Sequence, residues 1–306
     1  METSACRAKT AVAATAGLAG TWLVCHWRSP MVRAWSPGAG ERRRIGRLSV
    51  RINGRGREAL VLLHGFTASG DIFGAAYDEL ASSRQLAIPD LLGFGRSMDP
   101  EGEEFGLAAH LDALDEMVDA LGVTPAVVLG HSLGALVALH WAARRAEVER
   151  VIAVCAPLYV SPEEADTRIG GIGFLERLLA RGPLAERLCR WMCDHRTLAA
   201  WLIVALEPMW PVPIARRGVS HTWPAYIGAM DGIIRAVNWR PSLETLAARG
   251  VSVLLLDGAR DPAPVPGRSR ELAEELAGVG WALHPSADHE LPITHPAWVI
   301  DTANLG

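Results

Sequence analysis

The chain has 306 residues, 50% apolar and 21% charged, a balance that excludes a disordered or disulfide-built chain and suits one large domain or a core with an insertion. Its net charge of −4 is unevenly spread: residues 1–57 hold eleven Lys and Arg against two acids, and the remainder holds 19 against 32. No nucleic-acid motif accompanies the basic end, so contact with anionic lipid headgroups is expected there, and none with nucleic acid.

The first element is the uncharged segment Ala11–Trp27, AVAATAGLAGTWLVCHW, with basic residues on both sides. It falls short of the ~20 apolar residues of a full membrane span, and no small-x-small cleavage site follows it. The expectation is an uncleaved anchor or surface-lying helix, with membrane-surface contact through residues 11–35. A helix packed on the protein and a targeting segment are the alternatives, so the location is membrane-associated or cytoplasmic. Residues 1–40 form this N-terminal segment.

From residue 45 the pattern is strand and helix in alternation. IGRLSVRI (45–52), EALVLLHG (58–65), QLAIPD (85–90), AVVLGHS (126–132), RVIAVCAP (150–157) and VSVLLLDG (251–258) are short apolar runs closed by turn residues. GWALHPSADHE (280–290) supplies a last strand. Helical segments Ala75–Ser82, His110–Leu121, Leu133–Arg145 and Ser269–Leu276 lie between them. Fully apolar strands separated by helices mean an α/β fold, a mostly parallel central sheet with helices on both faces. Between Pro157 and Pro241 only helical stretches occur, such as GFLERLLARGPLAERLCRWMC and TLAAWLIVAL, with five of the eleven tryptophans (Trp191, Trp201, Trp210, Trp223, Trp239). This predicts an inserted helical cap at 157–241 on a core made of 41–156 and 242–306. The cap tryptophans either line an apolar pocket or fix small helices to the core. The five cysteines (Cys6, Cys25, Cys155, Cys189, Cys193) are read as ordinary thiols, since no second ligand pair matches the four-residue spacing of Cys189 and Cys193.

VVLGHSLGAL, Val127–Leu136, places Gly-x-Ser-x-Gly between a strand and a helix. That context makes a nucleophile elbow: Ser132 on a sharp turn, glycines where strand and helix pass closely, and helix N–H groups to hold a developing negative charge. Here the chain resembles the α/β-hydrolase family, over roughly residues 45–303. LVLLHGFTAS looks like the family's His-Gly segment, and PDLLGFGRS like its turn after the fourth strand; Gly93-x-Gly95 there is a structural turn. Ala135 stands where many members have a further glycine. The resemblance implies an oxyanion hole from the N–H groups of Phe66 and Leu133.

A serine needs a base, and the base an orienting carboxylate, in the order Ser, acid, His. After the strand at 251–256, Asp257 and Asp261 compete, and the resemblance favours Asp261 in DGARDPAP. His284, His289 and His295 compete for the base, and SADHELPITHP favours His289. His131, beside the serine, is read as pointing into the fold. No HExxH-like pair occurs, and serine chemistry needs neither metal nor cofactor. Serine at the elbow departs from the dehalogenase and epoxide-hydrolase branches. The expected reaction is hydrolysis of a small-molecule carboxylic ester, with an apolar acyl group, through an acyl-enzyme on Ser132. A carbon–carbon bond hydrolase, a thioesterase or acyltransferase, and a non-catalytic small-molecule binder are the alternatives. Nothing in the sequence assigns an oligomeric state.

Overall fold

The computed structural model describes residues 20–172 and 182–305. Residues 11–19 of the apolar segment and 173–181 of the first cap stretch therefore lie outside the described residues.

The sheet has eight strands: β1 (Glu41–Ile45), β2 (Leu48–Asn53), β3 (Glu58–Leu63), β4 (Gln85–Asp90), β5 (Thr124–His131), β6 (Arg150–Val154), β7 (Ser252–Gly258) and β8 (Val279–His284). Their order is β1-β2-β4-β3-β5-β6-β7-β8. The first two pairings are antiparallel, and all pairings among β3 to β8 are parallel. The stretch 45–52, expected as one strand, is instead a tight β1–β2 hairpin turning at Gly46 and Arg47. β1 reads ERRRI and is largely exposed; charge along an outer strand suits an edge that must not pair with other chains.

Helices are numbered here in chain order: α1 (20–28), α2 (Pro30–Ala34), α3 (Leu107–Leu121), α4 (Leu133–Arg144), α5 (Pro162–Ile172), α6 (Pro183–Asp194), α7 (Arg196–Leu206), α8 (Val212–Arg217), α9 (Trp223–Ala229), α10 (Trp239–Ala248), α11 (Arg268–Glu275), α12 (Leu291–Thr294) and α13 (Pro296–Thr302). Residues 75–82 form a 3₁₀ helix. Every described element between β6 and β7 is helical, α5 to α10, with a π turn at Met230–Ile234. Helices and a mostly parallel sheet thus take the arrangement expected, with a helical insertion after β6.

Two features place the site. Leu60 to Leu63 of β3 and Val128 and Leu129 of β5 are fully buried, so the strands run through the interior and present only their ends. A fully buried Leu or Val contributes about 1.5–3 kcal/mol. α4 is buried over its first ten residues, Leu133 to Ala142; an apolar surface all round suits a helix enclosed on every side. The parallel register then levels the strand ends: Leu63 pairs with Gly130, His131 with Val154, and Val154 with Leu256. The loops after β3, β5, β6, β7 and β8 all emerge at one carboxyl edge, where open α/β sheets hold their ligands.

Candidate active site

Ser132 ends the run of β5 and immediately precedes α4, with φ 53° and ψ −116°. That region is costly for a residue with a Cβ and persists only where the surroundings impose it. The imposing contacts are backbone ones. A Cβ at Gly130 would overlap the Gly134 carbonyl, and one at Gly134 would overlap the carbonyls of Leu63 and His64. Strand, elbow and helix can meet this closely only with glycine at both positions. Thr67 (φ 48°) and Cys155 (φ 52°) are also held at positive φ, so strained backbone recurs after β3, β5 and β6 around one point.

The Ser132 hydroxyl lies 3.0 Å from His289 Nε2, and His289 Nδ1 lies 2.8 Å from Asp261 Oδ2. Since a carboxylate only accepts, Nδ1 donates to Asp261 and leaves Nε2 to accept from the serine. The structure thus brings together Ser132, His289 and Asp261, the three residues singled out by order and motif. The competitors lie elsewhere. Asp257 accepts from the Trp281 indole at 3.0 Å, and the His284 ring packs at 4.0 Å from His295 and 5.1 Å from Trp298.

Phe66 and Leu133 flank the same point. Leu133 is the first residue of α4, where the N–H has no intrahelical acceptor. The loop after β3 is held by His64, which is fully buried. Its Nδ1 donates to the Gly65 carbonyl and its Nε2 accepts from Leu91 N–H, both at 2.7 Å. A Cβ at Gly65 would come within 3.3 Å of the Ser132 Cβ, so the loop carrying Phe66 lies directly against the elbow.

A family model described as alpha/beta hydrolase fold matches residues 58–197. The pimeloyl-[acyl-carrier protein] methyl ester esterase of Chromobacterium violaceum is 35% identical over 246 residues, 77% of this chain and 89% of that protein. The chain belongs to the alpha/beta hydrolase family. A probable lysophospholipase of Arabidopsis thaliana, BODYGUARD 4, is 26% identical over 257 residues, 78% of this chain; the chain spans only 61% of that relative's length. Among solved structures, the enol-lactonase of Burkholderia xenovorans LB400 superposes with a TM-score of 0.63 at 21% identity, covering 87% of this chain and 99% of that one, a likeness of fold. Esterase- and lipase-named relatives support hydrolase activity for this chain.

In this alpha/beta hydrolase the charges at the site are set by enclosure and by partners. Burial opposes a charge on Asp261, but the His289 hydrogen bond and charge, the Ala263 N–H at 2.8 Å and the Cys155 thiol outweigh it and hold the carboxyl below its usual range. Burial likewise opposes charge on His289, and Asp261, helped by Glu290 and Asp288, lifts the imidazole above the ordinary histidine value. Cys155 is fully buried, and burial with Asp261 nearby keeps it a thiol, so its S–H donates to the carboxylate.

His131, read from the sequence as structural, is buried. Its Nε2 donates to the His289 carbonyl at 2.8 Å, with the two rings 4.9 Å apart. Burial and the neighbouring His289 push its pKa down to about 3, so it stays neutral and braces the backbone of the loop that carries His289. Cys155 gave no sequence signal, because its partner is more than a hundred residues away. His131, Cys155 and His289 are the one group of three metal-binding side chains among the described residues, their ligand atoms within 4.8 Å of one another. Both His289 nitrogens and His131 Nε2 are already committed to the bonds above. Among the described residues Cys189 and Cys193 gain no third ligand, and the Cys193 thiol donates to the His221 carbonyl at 3.3 Å.

The helical insertion after β6 meets this edge through aromatic contacts. Tyr226 of α9 packs 4.7 Å from the Phe66 ring, which in turn lies 5.7 Å from Phe94. Of the five cap tryptophans, Trp223 stacks on Tyr226, while Trp239 is buried and donates its indole N–H to the Tyr159 carbonyl at 2.6 Å. Trp210 packs partly buried on the core, and Trp191 and Trp201 are exposed. Ser132 is only 9% exposed.

Proposed function

We propose that the protein is a serine esterase that hydrolyses carboxylic esters with an apolar acyl group through an acyl-enzyme on Ser132. The observation that carries this reading is the Ser132–His289–Asp261 relay, with contacts of 3.0 and 2.8 Å, at a strained elbow. His289 Nε2 takes the hydroxyl proton as Ser132 Oγ bonds to the ester carbonyl carbon. The carbonyl oxygen becomes an oxyanion held by the Phe66 and Leu133 N–H groups. The C–O bond to the alcohol then breaks, and the departing oxygen takes the proton from His289. Water attacks the acyl-enzyme by the same route, releasing the acid and restoring the serine. Asp261 keeps the imidazole in the correct tautomer and stabilises its protonated form without itself becoming protonated. His131 and Cys155 position the base and the acid. The apolar acyl preference is supported by the partly buried rings of Phe66 and Tyr226, which pack together at the loop lying against the elbow.

Fluorophosphonate labelling followed by intact-mass and peptide analysis tests the reading. One adduct on Ser132 is expected, with none in Ser132→Ala. Turnover of p-nitrophenyl esters is expected to fall by about 10⁴-fold or more in that variant, and to favour longer over acetyl chains in the wild type. Unchanged turnover in Ser132→Ala, or well-folded protein that takes no label, would overturn it.

A further inference from the structure

Twelve large apolar side chains of the described residues are exposed, and ten of them lie on α1, α6, α7 and the turn after α7. The concentration is sharpest on α7, RTLAAWLIVAL, which carries no charge after its first residue. Its inner face buries Ala199, Ala200 and Val204. Its outer face presents Leu198, Trp201, Leu202 and Leu206, exposed by 52, 51, 43 and 67%. Spacings of three, four and eight residues make these one stripe. A helix that is apolar on both faces is ordinarily enclosed by protein or by lipid, yet this outer face meets water.

α1 lies beside it. The Trp22 indole donates to the Val204 carbonyl at 3.0 Å, His26 Nδ1 donates to the Pro208 carbonyl at 2.9 Å, and the Ser29 hydroxyl donates to the Met209 carbonyl. Trp22 and His26 stack at 4.7 Å and fix one face of α1 to the cap. The other face exposes Leu23, Val24 and Trp27, the last by 70%. The apolar stripe of α7 is thereby widened by a second helix some 180 residues away in sequence.

We propose that α1 and α7 together form a face that docks on the surface of a bilayer with anionic headgroups. Charge decides between a lipid surface and a protein partner. Arg28 adjoins Trp27 and is exposed, Arg33 follows it, and the Arg216 guanidinium sits 4.6 Å over the Trp201 ring. Tryptophan with arginine beside it suits the headgroup level, where the ring lies at the acyl boundary and the cation meets phosphate. The sequence leading into α1 agrees: Ala11–Ala19 is uncharged and is preceded by Arg7 and Lys9. The two helices lie in the headgroup plane. The docking itself is independent of the chemistry at Ser132.

The test uses the full chain and the variant Trp27→Glu/Trp201→Glu, whose two positions are exposed enough that neither substitution leaves a cavity. Flotation is measured with vesicles of phosphatidylcholine alone and with phosphatidylglycerol added. Wild-type protein is expected to float with the anionic vesicles, less with neutral ones, and to be released as salt rises. The variant is expected to lose at least about tenfold in partitioning while keeping its thermal midpoint, its fluorophosphonate labelling and its turnover of a water-soluble acetyl ester. Three results would overturn the proposal. The first is wild-type protein that does not float, and the second is a variant that floats as the wild type does, which would move binding to residues 11–19. The third is wild-type protein that sediments as a dimer the variant cannot form, with no vesicle binding, which would make the face a contact between copies.

Discussion

Substituting Ser132 by glycine, with Ser132→Ala as the reference, isolates the backbone strain at the elbow from its chemistry. Both variants lack the hydroxyl and lose the same hydrogen bond to His289, so they differ only in the Cβ. At φ 53° and ψ −116° a residue with a Cβ costs on the order of 1–3 kcal/mol, and glycine relieves it. Against this stands the greater freedom of glycine in the unfolded chain, about 0.4–1 kcal/mol. The difference leaves Ser132→Gly more stable than Ser132→Ala by about 1 kcal/mol, or ~2 °C in thermal midpoint for a chain of this size. Thermal unfolding followed by circular dichroism at pH 7, with a urea titration as a check, reads the order directly. An alanine variant as stable as the glycine variant, or more so, would mean that the elbow holds no strain.

Asp261→Asn is expected to lower kcat by about 10⁴-fold and to move the acid limb of the pH–rate profile. His289 must be neutral to take the serine proton, and its pKa is raised above 6.5, so wild-type activity is lost as pH falls through that raised value. Removing the carboxylate leaves burial dominant, and the limb shifts to lower pH; an unshifted limb would mean that His289 is not the titrating group. Gly134→Ala forces a Cβ into the carbonyls of Leu63 and His64 and is expected to cost up to about 3 kcal/mol, seen as a lowered urea midpoint with reduced kcat. A wild-type midpoint would show that strand and helix separate freely. Arg249 donates to the carbonyls of Ala142, Ala143, Arg145 and Ala146 at 2.9 to 3.2 Å, closing the carboxyl end of α4. Arg249→Ala is expected to cost about 1 kcal/mol, and Arg249→Lys to recover only part of it, because an ammonium lacks the planar fork; full recovery would reduce the contact to charge alone.

The parallel strands are legible in the sequence because each is a short apolar run closed by a turn, buried on both faces. β1 is not legible: ERRRI carries no apolar alternation, and its strand conformation comes from pairing with β2. Ser132 is marked by a local pattern whose glycines have a steric reason. Asp261 and His289 stand out from Asp257, His284 and His295 only through family order, since each competitor is the same residue type on the same edge. What local pattern cannot carry is side-chain contact across distant segments. The Cys155 thiol beside Asp261, the His131 bond to the His289 carbonyl and the Tyr226 ring on Phe66 join segments brought together by the folded sheet. The docking of α1 on the cap is of the same kind: Trp22 and His26 are unremarkable until Val204 and Pro208 supply the carbonyls.

The side chains of Ser132, His289, Asp261, His131 and His64 are hydrogen-bonded to one another, to the Cys155 thiol and to the backbone of Gly65, Leu91, Ala263 and His289. Those groups are held by one another and by the ends of the sheet strands, while Tyr226 of the insertion packs on Phe66 in the loop after β3. The insertion can therefore accumulate changes, lengthen or be exchanged for another without disturbing the alignment of Ser132, His289 and Asp261. A lineage carrying this scaffold is free to explore new substrates through one segment while its hydrolytic machinery stays unaltered, and transplanting the segment between relatives is the corresponding route for engineering specificity.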